Sequence, residues 1–190
     1  MPRLFSGIEI PEAVGHRLSL LRTGLGGAHW VDPANYHLTL RFIGDVDGRT
    51  ARDFAANLDE IVSGPFQLRF DGLGSFGGRK PRSIWARVAP SEPLAALQRA
   101  HEWAARKAGL PPEPRNFMPH VTVARLRGTR AEAVASYLER QGGFASMPFT
   151  IKRFVLFSSR ASIGGGPYVV EADYPLLGYE MQDDARDSLR

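Results

Sequence analysis

Two segments of this 190-residue chain carry one short pattern, His37-Leu38-Thr39-Leu40 and His120-Val121-Thr122-Val123. Each alternates polar and apolar residues with the period of a β-strand. Histidine and threonine therefore share one face while the aliphatic pair takes the other. The two histidines are 83 residues apart, and the same offset separates Pro65 from Pro148 and Phe66 from Phe149. A spacing kept across strand, helix and strand predicts a duplicated unit, with equivalent strands side by side and both polar faces lining one cleft. Two imidazoles and two hydroxyls so placed are the parts needed for metal-free acid–base chemistry on a phosphate.

Turn and cap residues divide each half in the same order. A strand over Arg3–Glu9 is followed by a helix begun at Pro11, running through Leu20 and Leu21 and stopped at Gly24. The first motif strand spans Tyr36 to Ile43, a helix with Phe54, Leu58 and Ile61 on one side runs from Gly48 to Ile61, and Phe66–Phe70 is a strand. In the second half, Ser83–Val88 is a strand, and Ser91 and Pro93 open a helix to Ala108. A proline-rich link, Pro111 to Pro114, leads to the second motif. Thr129 and Glu132 form a capping box for a helix ending near Gly142, and Pro148–Phe157 and Tyr168–Tyr174 are strands. The expected fold is α+β: two pseudo-symmetric lobes, each an antiparallel sheet with helices packed outside, and a central cleft between them. It forms a single bilobal unit over residues 1–180, with halves of about 1–80 and 81–180 and a polar tail at 181–190.

Composition narrows the chemistry. There is no cysteine, which excludes disulfides, thiolate metal sites and a cysteine nucleophile and fits a cytoplasmic setting. The net charge of +4 is a mild bias toward anionic partners. No apolar stretch approaches the length of a membrane helix, and the opening Met1-Pro2-Arg3-Leu4-Phe5 lacks a signal peptide's apolar region, so no membrane partner is expected.

With these motifs and their flanks, the chain resembles the two-histidine phosphoesterases, specifically the RNA 2′,3′-cyclic phosphodiesterases of the LigT type. The likeness runs from Arg3-Leu4-Phe5 and Ile8-Glu9-Ile10-Pro11 through His37-Leu38-Thr39-Leu40-Arg41-Phe42-Ile43-Gly44 to Phe76-Gly77-Gly78-Arg79 with Trp85. It continues through Phe117-Met118-Pro119-His120-Val121-Thr122-Val123-Ala124-Arg125 and ends at Gly166-Pro167-Tyr168. The resemblance implies a two-lobed α+β fold and opening of a terminal cyclic phosphate to a 2′-phosphate, with His37 as proton donor and His120 as acceptor. It implies Arg125 as a phosphate or base contact and RNA 3′ ends, tRNA halves among them, as partners. Some members of the family it resembles also join tRNA halves through a 2′–5′ linkage in vitro.

The residues themselves suggest the remaining roles. An imidazole with a pKa near 6.5 can give or take a proton at neutral pH, and Thr39 and Thr122 can hold the non-bridging oxygens. Strict alternation puts Arg125 on the face opposite His120, so the strand must end or bulge before it, whereas Arg41 has the parity of His37 and is a second candidate cation. Phe42 holds the place in its motif that Arg125 holds in the other and is a candidate for stacking on a base. Arg79, Lys80 and Arg82 could steer RNA.

Other signals are set aside. Gly72-Leu73-Gly74-Ser75-Phe76-Gly77 spells a dinucleotide fingerprint, but Gly78 to Arg82 cannot open the helix it requires, and a flexible turn is expected instead. His101-Glu102 begins a zinc-protease pattern that fails at Ala105, so neither metal nor other cofactor is expected. His16 and His101 are read as surface or boundary residues on helices, His29 as a loop residue, and Trp30, Trp85 and Trp103 as core. The chain is expected to act as a monomer. The alternatives are action on 2′–5′ linkages or small cyclic nucleotides, or binding of RNA ends without turnover.

Overall fold

The computed structural model describes residues 3–159 and 168–178. Gly166, Pro167 and the tail 181–190 lie outside the described residues.

The first half contains β1 (Arg3–Glu9), α1 (Glu12–Ser19), β2 (Ala28–Trp30), β3 (His37–Asp45), α2 (Gly48–Asp59), β4 (Phe66–Leu68) and β5 (Phe70–Phe76). The second contains β6 (Ser83–Val88), α3 (Glu92–Lys107), β7 (His120–Leu126), α4 (Ala131–Arg140), β8 (Phe149–Ile151), β9 (Arg153–Ser159) and β10 (Tyr168–Pro175). Side-chain oxygens fix the helix starts: Asp47 accepts from the amides of Arg49 and Thr50, and Ser91 from that of Leu94. The expected capping box at Thr129 and Glu132 does not form. Arg130 holds the N-cap position of α4 without a side-chain hydrogen bond, and the Thr129 hydroxyl donates to the Gly26 carbonyl at 3.0 Å. A partner from another loop has taken the hydroxyl that a local cap would use. The first helix is shorter than expected, ending at Ser19.

Strands β10-β9-β1-β3-β7-β6-β5 form one antiparallel sheet in that order, with β2 also on β7, while β4 and β8 form a separate ribbon. The expected single strands Phe66–Phe70 and Pro148–Phe157 are each broken, at Arg69 and Lys152, because their leading segments leave the main sheet for that ribbon. The sheet contains two equivalent three-strand sets, β9-β1-β3 and β5-β6-β7. Each set takes one strand from the opposite half: β9 lies against β1 and β5 against β6. Between the sets, β3 and β7 share one paired position, Leu38 opposite Val121. Beyond it they part, and β2 takes the vacant edge of β7.

The core fills the helix-covered face. Leu38, Val121, Phe54 and Leu58 of α2, Leu94 and Leu97 of α3 and Tyr137 of α4 are almost wholly buried there. Each such aliphatic or aromatic side chain contributes about 1.5–3 kcal/mol on leaving water. No helix among the described residues is long and apolar enough to cross a membrane.

The glycine-rich run at 72–76 is strand, not the flexible turn expected of it. Gly74 lies opposite Trp85, whose indole carbons stand 2.4 Å from where a Cβ on Gly74 would be. Only glycine leaves room for that ring.

Candidate active site

The pairing of Leu38 with Val121 fixes the site, because antiparallel register then sets His37 abreast of Thr122 and Thr39 abreast of His120. Leu38 and Val121 are fully buried, so by strand alternation the two histidines and two threonines share the opposite, open face.

Each imidazole is oriented by its own chain two residues upstream. His37 Nδ1 bonds the Asn35 carbonyl at 2.8 Å, and His120 Nδ1 bonds the Met118 carbonyl at 2.6 Å. A carbonyl can only accept, so Nδ1 carries a proton in both rings and Nε2 is the nitrogen left for chemistry. A neutral ring then presents an acceptor and a charged ring a donor, from the same orientation. Burial pushes His37 down to about 4, opposed by the Asn35 carbonyl and reinforced by the positive charge of Arg125 and by His120. Burial also lowers His120, against the Met118 carbonyl and with the help of Arg125. Arg125 acts on both rings, so both histidines and this guanidinium occupy one electrostatic neighbourhood.

The route of Arg125 to that face is a bulge. Along β6, Trp85 pairs with Thr122 and Ile84 with Ala124, leaving Val123 unpaired and reversing parity beyond it. Arg125 is thereby exposed on the histidine side, with no ion pair or side-chain hydrogen bond among the described residues. The first copy has the same irregularity: Gly7 pairs with Thr39 and Ser6 with Arg41, leaving Leu40 unpaired. Leu40 and Val123 are again 83 apart.

That bulge reverses the expectation for Arg41. It turns inward, 6% exposed, with Nε 2.6 Å from Glu102 Oε2, an ion pair whose N–H is not aimed at the oxygen. Its terminal nitrogens donate to the Phe42 and Pro111 carbonyls at 2.5 Å, and Glu113 lies 3.6 Å away. Arg41 is not a cleft residue; it ties β3 to α3 and to the link that leads to the second motif. Phe42 is exposed on the histidine side. Thr39 and Thr122 are half-buried, and their hydroxyls have no protein partner among the described residues.

Aromatic side chains that the motifs themselves do not announce surround each ring. Phe5, Phe157 and Tyr168 surround His37 at centroid distances of 4.9, 5.5 and 4.8 Å. Phe76 and Trp85 flank His120 at 5.0 and 5.8 Å. Phe5 pairs with Phe157 as Trp85 pairs with Gly74, so one large indole over a glycine replaces two phenyl rings. The alternation of Phe5 and of Trp85 along their strands was the available signal, but which strand each would face was not. Beside His37 a cavity of about 380 Å³ is lined by Glu9, Glu12, Asn35, Phe157 and Tyr168, among others.

The remaining candidates fall elsewhere. His101 is not a surface or boundary residue; it is fully buried in α3, bonded through Nδ1 to Ser6 at 2.8 Å and pushed by burial to about 3. Trp103 is not core but 67% exposed. His29 is in β2 rather than a loop, abreast of Arg125. Arg79, Lys80 and Arg82 are exposed in the tight turn joining β5 to β6. Among the described residues, no group of three or more His, Cys, Asp or Glu could hold a metal ion.

Known proteins are similar to this chain in sequence and in fold. The chain is 30% identical over 177 residues to the RNA 2′,3′-cyclic phosphodiesterase of Aquifex aeolicus, covering 90% of this chain and 91% of that one. It is 31% identical over 162 residues to the Bacillus subtilis protein of the same name, covering 82% and 87%. The crystal structure of the Thermus thermophilus protein TT0787 superposes with a TM-score of 0.77 at 23% identity, covering 94% of this chain and all of that one, and shares its fold. A family model described as the 2′-5′ RNA ligase superfamily matches residues 11–162. On the strength of that match and the paired motifs behind it, this chain belongs to the 2′-5′ RNA ligase superfamily, the two-histidine phosphoesterases.

Proposed function

We propose that this protein hydrolyses the terminal 2′,3′-cyclic phosphate of RNA to a 2′-phosphomonoester, without a metal, by acid–base catalysis between His37 and His120. Water attacks phosphorus, His120 Nε2 takes its proton, the bond from phosphorus to the ribose 3′ oxygen breaks, and His37 Nε2 protonates that oxygen. Thr39 and Thr122 hold the non-bridging oxygens, Arg125 neutralises the charge growing on them, and Phe42 stacks on a base. The observation that carries this reading is the matched pair of Nδ1 bonds to Asn35 and Met118, which leaves both Nε2 atoms available on one face. The activity carried by the names of the relatives supports it independently.

In the free protein, burial disfavours the charged form of both rings. The anionic phosphate reverses this for the donor on binding, so the catalytic protonation state is completed by the substrate itself. The reading extends to tRNA halves as substrates and to a monomer working in the cytoplasm.

The test is incubation with RNA ending in a 2′,3′-cyclic phosphate, followed by identification of the hydroxyl that keeps the phosphate. A 2′-phosphate is expected, formed at an undiminished rate in strong chelator. A 3′-phosphate, no product, or a divalent-ion requirement would overturn the scheme.

A further inference from the structure

We infer that the RNA chain upstream of the cyclic phosphate leaves the cleft over the His120 lobe, across the β5–β6 turn, and not over the His37 lobe. This rests on the phosphodiesterase reading above and adds a direction to it. The duplication makes the argument possible, because equivalent positions in the two copies can be compared. After the first motif the strand end carries Phe42, Gly44 and Asp47; 83 residues on, the same places carry Arg125, Arg127 and Arg130. All three arginines are exposed and have no ion pair among the described residues. Asp45 and Asp47, by contrast, make the first strand end acidic, and Asp45 is engaged by Arg3.

The turn next to that cationic strand end has the same character. Arg79, Lys80 and Arg82 are exposed and without ion pairs among the described residues. Backbone bonds from Lys80 to Gly77 and from Arg82 to Phe76 hold the turn tight. A Cβ on Gly77 would stand 2.2 Å from the Lys80 carbonyl oxygen, so the sequence keeps this turn in one shape. Phe76, at its base, packs on His120, and Ser83, at its exit, pairs with Arg125. The turn is thus joined directly to the catalytic neighbourhood, and aromatic rings beside cations are what single-stranded RNA binds. On the opposite flank the lining of the cavity beside His37 carries Glu12 and a Glu9 already paired with Arg153, and no lysine or arginine among the described residues, which leaves that side to the neutral parts of the terminal nucleoside.

The experiment compares a 2′,3′-cyclic mononucleotide with a single-stranded RNA of about eight nucleotides ending in the same nucleotide and cyclic phosphate. At low salt the RNA is expected to have the higher kcat/KM by about tenfold or more, and to lose that lead with a log–log salt slope of about −2, the value for some three phosphate contacts. The variant Arg79→Ala/Lys80→Ala/Arg82→Ala should remove the lead and most of the slope while keeping mononucleotide turnover. A control with the same charge loss on the outer helices, Arg17→Ala/Arg49→Ala/Arg106→Ala, should keep both. Equal turnover of RNA and mononucleotide by the unaltered protein would overturn the path, as would a turn variant that keeps the lead or a control that loses it. In those outcomes the mononucleotide activity still stands for the phosphodiesterase. Turnover of neither substrate would instead sink the phosphodiesterase reading, and this path with it.

Discussion

The two motif strands are alike up to their bulges and unlike beyond them. Both present a histidine held by a carbonyl two residues upstream and a threonine on the same face, and both leave an aliphatic residue unpaired, Leu40 and Val123. Past that residue the copies differ at every chemically distinctive place: Arg41 against Ala124, Phe42 against Arg125, Gly44 against Arg127. The shared part is what the proposed proton transfers, from the attacking water and to the leaving oxygen of one phosphate, need from two sides. The divergent part is where one copy has become structural support and the other a charged contact. On the proposed mechanism, catalysis has kept the symmetry, and substrate recognition and stability have broken it.

The strongest way to test the symmetric part is to remove each ring in turn. His37→Ala and His120→Ala should each lower kcat on a cyclic-phosphate RNA by about 10³-fold or more, and the double variant should be little worse than either. A single variant that kept most of its turnover would show that the two rings are not equivalent partners. The divergent part should answer unequally. Arg125→Ala is expected to lower kcat/KM about 10²-fold with a loss in kcat, as for a group acting on developing charge. Phe42→Ala should raise KM by about tenfold with kcat kept, as for a stacking platform. Matching losses in the two variants would erase the distinction.

Arg41→Ala gives the first copy the second copy's residue. It strips Glu102, only about one-fifth exposed, of its ion-pair partner, while Glu113 keeps Arg115, and should lower unfolding free energy by about 2–3 kcal/mol in a urea titration. An unchanged midpoint would make the buried pair incidental. The smallest effect concerns pH. Since burial holds His37 near 4 and lowers His120, the charged donor becomes scarce in the free protein as pH rises, and kcat/KM should decline along an alkaline limb centred below 6.5. The limb for kcat should lie higher, because bound phosphate favours imidazolium. A kcat/KM limb at or above 6.5 would mean that the rings are better hydrated than their packing against Phe5 and Trp85 implies.

Much of this was legible in the chain. Period-2 alternation gives the faces of His37, Thr39, His120 and Thr122, and a constant offset of 83 relates equivalent places on the two motif strands. The bulges are half visible: one is required to bring Arg125 to the histidines, but nothing in the sequence announces the same shift before Arg41, since Leu40 looks like any strand leucine. A bulge is set by how a neighbouring strand pairs, here Ser6 and Gly7 on β1, and that neighbour is distant in sequence. The same limit hid β5, where glycines that weaken a strand in isolation make room for Trp85 from the adjoining one. It also hid the Thr129 contact to Gly26, a loop more than a hundred residues earlier. Local propensity speaks for helices and caps; it says little about partners that the topology supplies.

The exchange of β5 and β9 has a consequence for how such a protein could be divided. A gene severed in the β5–β6 turn would encode two fragments, each with one of the two motif histidines and each lacking the strand that completes its own sheet. Neither would be a miniature enzyme, and each would expose an open edge inviting aggregation. Co-expressed, they carry complementary edges and should recover activity only by finding one another, so halves that have exchanged strands in this way are not separable by simple fission.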